Sequence, residues 1–197
     1  MKRTELSILI GLILSIIISS VSAFAADCQN VRSDVLRLHI LANSDSETDQ
    51  NLKLNVRDAI LEKSSDLFDP SLSLEEAVKG ATEHLDELQK TAEDEIRENG
   101  FDYPVKVYLC EMFFETRNYD DVTMPAGNYQ ALRIEIGKAE GKNWWCVLFP
   151  ALCIPASQDG AGMEDVFTKS EIDTVTKPKY QAKFAIVELI ERLKNLS

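Results

Sequence analysis

The chain is short of groups that exchange protons near neutral pH: its 197 residues include two histidines, His39 and His84. A nucleophilic thiol or hydroxyl needs such a base beside it, so most nucleophilic chemistry has little to draw on. Basic residues are scarce as well. Lys and Arg number 21 against 33 Asp and Glu, a formal net charge of -12. That charge repels phosphate backbones and argues against a nucleic-acid partner, and anionic lipid headgroups attract it little. No Asp-Thr-Gly occurs. Asp120 and Asp121 are adjacent, so on a strand their carboxylates diverge to opposite faces, which sets aside proteolysis by paired aspartates. Internal repeats are absent.

A calcium loop of the helix–loop–helix type is also missing. Asn43, Asp45, Glu47 and Asp49 alternate as oxygen donors, but position six counted from Asn43 is Thr48 and position twelve is Leu54, where glycine and glutamate are required. The ordinary reading of that stretch is turn chemistry, with Asn, Asp and Ser bonding nearby backbone and capping a helix. No metal or other cofactor is expected.

What is present suits one folded domain. The chain is 45% hydrophobic and 27% charged, the balance of a globular protein and not of a disordered one. Its first residues differ in kind. Lys2 and Arg3 precede an apolar run over residues 6–21, and small residues follow, with Ala23-Phe24-Ala25 in an Ala-x-Ala pattern. This is the layout of a secretory signal peptide, cut after Ala25; the rival is an uncleaved membrane anchor, for which the run is near the lower length limit. The expected organisation is a signal peptide at 1–25, a domain at 26–157, and a loop with a C-terminal amphipathic helix at 158–197.

Residues 35–41 alternate, with Leu36, Leu38 and Ile40 on one face and Arg37 and His39 on the other, which predicts a half-buried strand. Ser46-x-x-Asp49 resembles a capping box and starts a helix near Glu47, which Asp69-Pro70 ends. One further helix is predicted from Ser73 to the Asn99-Gly100 stop, its stripe formed by Leu74, Val78, Ala81, Leu85, Leu88, Ala92 and Ile96. The period then becomes two. Val105, Val107 and Leu109 form one strand face, and Leu132, Ile134 and Ile136 another after a turn at 124–128. A last strand follows, ended by Pro150 and Pro155. These strands read as an antiparallel meander. At the end, Ala182, Ile186, Leu189, Ile190, Leu193 and Leu196 recur at helical spacing. The fold class is α+β: a single domain in which an antiparallel sheet packs against amphipathic helices.

Residues 141–153, GKNWWCVLFPALC, hold both tryptophans and two of the four cysteines. Outside a reducing cytosol Cys28, Cys110, Cys146 and Cys153 are disulfide candidates, and four cysteines allow three connectivities. Catalysis by Cys146 would need His39, which could approach if their strands are neighbours; the alternative function is therefore an exported cysteine-dependent hydrolase acting on cell wall. Trp144 and Trp145 point to opposite faces of a strand, so one can anchor a protein partner. A Cys146–Cys153 bridge would brace that edge. Trp144, Trp145 and Pro150 are the first candidates for partner binding, with Asn43 and Asp45 of the polar turn second.

Three blocks carry a resemblance: RLHILANSDSETDQNLKLNVRDAI, MPAGNYQALRIEIG and NWWCVLFPALC. Together they resemble stage II sporulation protein R of endospore formers. The chain departs from that pattern at Ala151, where a second proline is typical, and no block after Cys153 matches. The resemblance implies a protein that is not an enzyme. It implies secretion across the forespore membrane into the intermembrane space, with no stable membrane insertion after signal cleavage. There the family activates a membrane-embedded aspartic protease of the mother cell, stage II sporulation protein GA, which processes the sigma-E precursor.

Overall fold

The computed structural model describes residues 3–64, 67–68, 72–119, 122–150, 166–176 and 181–196. The chain divides into two compact units. One comprises residues 33–113 and 128–167, the other residues 1–32, 114–127 and 168–197.

The first unit is a sheet with helices. Its strands are β1 (Leu36–Leu41), β2 (Val105–Phe114), β5 (Gly127–Ile136) and β6 (Asn143–Phe149), in the order β2-β5-β1-β6. Helices α2 (Glu47–Ser64), α3 (Leu74–Glu83) and α4 (Leu85–Glu98) supply the rest. Each strand turns its alternate apolar residues to one face. Leu38, Ile40, Val107, Leu132, Ile134, Cys146 and Leu148 meet Leu52, Val56, Ile60, Ala81, Leu88 and Ala92 of the helices in one buried core. Burial of such area is the main favourable term in folding, and here it fixes which face of every strand looks inward.

The α+β class is the one expected from the sequence. The strand order adds what local pattern does not contain. β1 lies between β5 and β6, parallel to β5 and antiparallel to β6, so the sheet is mixed and not a meander. A second difference is the helix from Ser73. Ser73 caps it as expected: its Oγ accepts from Glu76 N at 3.3 Å, and Glu76 Oε2 accepts from Ser73 N at 2.8 Å. At His84 the helix breaks into α3 and α4 (φ -109, ψ 11). The imidazole Nδ1 lies 2.8 Å from the Gly80 carbonyl oxygen, so ring and backbone N–H share one acceptor where the turn opens. The stop at Asn99 is present; Asp69, Pro70, Asp120, Asp121, Cys153 and Pro155 lie outside the described residues.

The second unit contains α1 (Arg3–Ser33), a hairpin of β3 (Arg117–Tyr119) and β4 (Val122–Met124), and the helices α5 (Lys169–Thr176) and α6 (Gln181–Asn195). Its small core joins Phe24 and Cys28 of α1 to Phe184 and Val187 of α6. The C-terminal helix forms as predicted but packs on another face: Ile186, Leu189, Ile190, Leu193 and Leu196 are exposed. Arg32 ties the unit together. Its Nη1 donates to the Ala126 carbonyl at 2.9 Å, and its Nη2 donates to Gln29 at 2.6 Å and pairs with Glu191 at 3.4 Å. Gly127 lets Arg32 lie there: its φ is 144°, and an added Cβ would overlap the Arg32 side chain. Asp27 accepts from Ser170 Oγ at 3.0 Å and Thr174 Oγ at 3.2 Å, seating α5 on α1.

Candidate functional site

Strand β6 ends the sheet order and carries both tryptophans. Register places Trp144 opposite Ile40, Trp145 opposite His39, Cys146 opposite Leu38 and Val147 opposite Arg37. The two indoles therefore take opposite faces, as adjacent strand residues must. Trp144 borders the helix-covered core, with the Arg57 guanidinium 4.5 Å from its ring centroid. Its Nε1 is buried and finds no acceptor among the described residues, a cost that buried indoles seldom carry. Trp145, half-buried on the other face, stacks on His39 with centroids 3.9 Å apart and planes within 3°.

The residues read as the outer face of β1 are buried. Arg37 is fully enclosed, with Nε donating to the Cys146 carbonyl at 3.1 Å and its guanidinium 5.0 Å from the Tyr129 ring centroid. His39 is 3% exposed. Its Nε2 lies 3.0 Å from Asn143 Oδ1, and burial pushes its pKa down to about 4. The imidazole is therefore neutral near pH 7 and serves as a flat, uncharged support for Trp145. Beside it run Arg133, which pairs with Glu135 at 2.9 Å, and Tyr108, whose Oη donates to the same carboxylate at 2.8 Å. Sequence reasoning did not single out this half-buried polar strip. Part of its signal was in the sequence, where Arg133 and Glu135 alternate with Leu132, Ile134 and Ile136; the pairing of His39 with Arg133 comes from the register of β1 on β5.

The expected approach of His39 to Cys146 does not occur. Their strands are neighbours, but Cys146 shares the core face with Leu38 while His39 lies on the opposite face. Cys146 is moreover disulfide-bonded. Cys28 and Cys110, also disulfide candidates, are free thiols. Cys28 sits in the α1–α6 core of one unit, where burial pushes its pKa up to about 12; Cys110 is on β2 in the other unit, its pKa raised by burial.

Pro150 is buried, so it shapes the end of β6 and does not itself offer a surface. Asn43 and Asp45 act as a clasp. Asn43 Nδ2 and Ser44 Oγ donate to Asp49 at 2.8 and 2.5 Å, which holds the Asp49 carboxyl below its ordinary range. Asn43 Oδ1 accepts from Lys138 N at 3.0 Å, and Asp45 Oδ1 from Lys142 N at 2.7 Å. Lys53, buried, donates to the Lys142 carbonyl at 3.0 Å. The turn after β1 thus grips the loop that leads into β6. Among the described residues no cluster of His, Cys, Asp and Glu could hold a metal ion.

The site therefore offers a braced aromatic strand. It can bind by stacking and apolar burial, and the described residues bring no nucleophile to a base within it. Residues 32–159 match the family model of stage II sporulation protein R. The chain is 35% identical over 135 residues to the protein named stage II sporulation protein R from Bacillus subtilis (strain 168), a match covering 68% of this chain and 60% of that protein. No solved structure matches.

Proposed function

The chain belongs to the stage II sporulation protein R family, and from that premise we propose that it is an exported sporulation signal that works by binding, without catalysis of its own. The receptor in this reading is the mother cell's membrane-embedded aspartic protease, stage II sporulation protein GA, whose activation leads to processing of the sigma-E precursor. The apolar N-terminal helix supports export from the forespore into the intermembrane space. The observation that carries the binding mode is Trp145 stacked on a buried neutral His39 at the sheet's last strand.

A ligand activates a receptor only by binding the active arrangement more tightly than the inactive one. A rigid anchor suits that task, because little side-chain freedom is lost on docking. The stack with His39 holds the Trp145 indole on one side, the Asn43–Asp45 clasp fixes the loop before β6, and a Cys146–Cys153 bridge would fix the chain after it. Trp145→Ala is expected to weaken receptor binding by about 2 kcal/mol or more, roughly 30-fold in affinity, with export and fold retained. Trp144→Ala should cost more stability, since that ring packs on the core. Normal activation of the protease by Trp145→Ala would remove β6 as the docking edge.

A further inference from the structure

Helix α1 carries two environments on one uninterrupted helix of 31 residues. At its start the large apolar side chains stand open: Ile8 is 72% exposed, Leu12 58% and Ile18 64%. Further along it is packed, with Phe24 at 4% and Cys28 and Val31 at 0%. The changeover lies between Ser20 and Phe24, and α6 makes it. Lys183 Nζ donates to Ser20 Oγ at 2.9 Å and stands 5.5 Å from the Phe24 ring centroid. The Phe24 ring meets Phe184 edge-on at 4.9 Å.

The open stretch fits one occupant. No charged residue occurs between Glu5 and Asp27. Residues 6–22, at about 1.5 Å per residue, span about 26 Å, a little under the ~30 Å hydrocarbon core of a bilayer. Lys2 and Arg3 stand at the end that would stay in the cytosol. The packed stretch bears on processing. Ala23 and Ala25 flank Phe24, and cutting there requires local unwinding of the helix and withdrawal of Phe24 from its seat on Phe184.

We infer that α1 is retained as a membrane anchor, with Phe24 locked onto α6 just outside the bilayer and the Ala25–Ala26 bond left uncut. This reverses the cleavage expected from the sequence and rests on the export reading above. The docking edge is then presented on a tether at the membrane surface and does not diffuse.

The test uses the full chain with a C-terminal epitope tag, produced in a sporulating host. The N-terminus and mass of the exported protein are read by mass spectrometry, its partition by alkaline carbonate extraction, and its sidedness by protease digestion of the tag with the mother-cell membrane opened and the forespore membrane left closed. Retention predicts residues 1–25 still attached, a chain released only by detergent, and a tag digested from outside the forespore. Ala25→Leu should change nothing. Phe184→Ala, which opens the seat, should convert part of the chain to a form that begins at Ala26. A wild-type chain already beginning at Ala26, whose processing Ala25→Leu blocks, would overturn the anchor and leave the export reading standing. An intact chain soluble in the producing cell, its tag protected, would overturn both.

Discussion

His39 shows how one residue ties the site to stability. Its pKa is about 4 in the folded chain, set by burial, against about 6.5 when unfolded. A base whose folded pKa is depressed favours folding fully above its unfolded pKa, and that contribution is lost as pH falls toward the folded value. The window is thus pH 6.5 down to 4. By pH 5 the loss attributable to His39 is about 2 kcal/mol. Urea unfolding at pH 7 and pH 5 measures it. His39→Phe, which keeps a ring under Trp145, should flatten the dependence in that window; an unchanged dependence would mean that His39 does not titrate as its burial requires. The indole fluorescence of Trp145 should stay constant over pH 7 to 5 in the folded protein, because the ring beneath it stays neutral.

At the scale of elements, the clasp makes its own claim. Gly141 lies so close to the turn after β1 that an added Cβ would overlap the Ser44 carbonyl, and its N–H donates to the Ala42 carbonyl at 2.9 Å. Gly141→Ala must push turn and loop apart, at a cost of about 1–3 kcal/mol. Amide exchange at Lys138 and Lys142, whose N–H groups bond Asn43 and Asp45, should quicken; exchange at wild-type rates would show that the clasp tolerates the methyl group. Much of the first unit was legible at this scale. Leu36, Leu38 and Ile40, or Leu132, Ile134 and Ile136, alternate without interruption, and their inward face follows. The place of β1 was not legible, because pairing with β5 across some ninety positions of chain leaves no local mark. Nor was the buried face of α6, which is apolar on two sides: Phe184 and Val187 face one way, Ile186, Leu189, Ile190 and Leu193 the other. Periodicity finds either stripe, and only tertiary contact with Phe24 and Cys28 chooses. The split of the two tryptophans followed from strand geometry. The His39 stack did not, since it depends on register between β1 and β6, and with it went the expectation that His39 reaches Cys146.

For the whole molecule, acidity, the apolar N-terminal helix and the braced edge belong to one account. A net charge of -12 repels a phosphate backbone. The histidines take no part in cysteine catalysis at Cys146: His39 is buried on the wrong face, and His84 is bound to the Gly80 carbonyl. In the function proposed above, the braced edge acts by shifting a receptor's own equilibrium between inactive and active arrangements. The most direct measurement co-expresses the exported chain with the membrane protease and the sigma-E precursor in a host that does not sporulate, and scores precursor cleavage. The account predicts cleavage only when chain and protease are both present and the chain has crossed the membrane. Cleavage in the absence of the protease, or none with all three present and the chain exported, would contradict it.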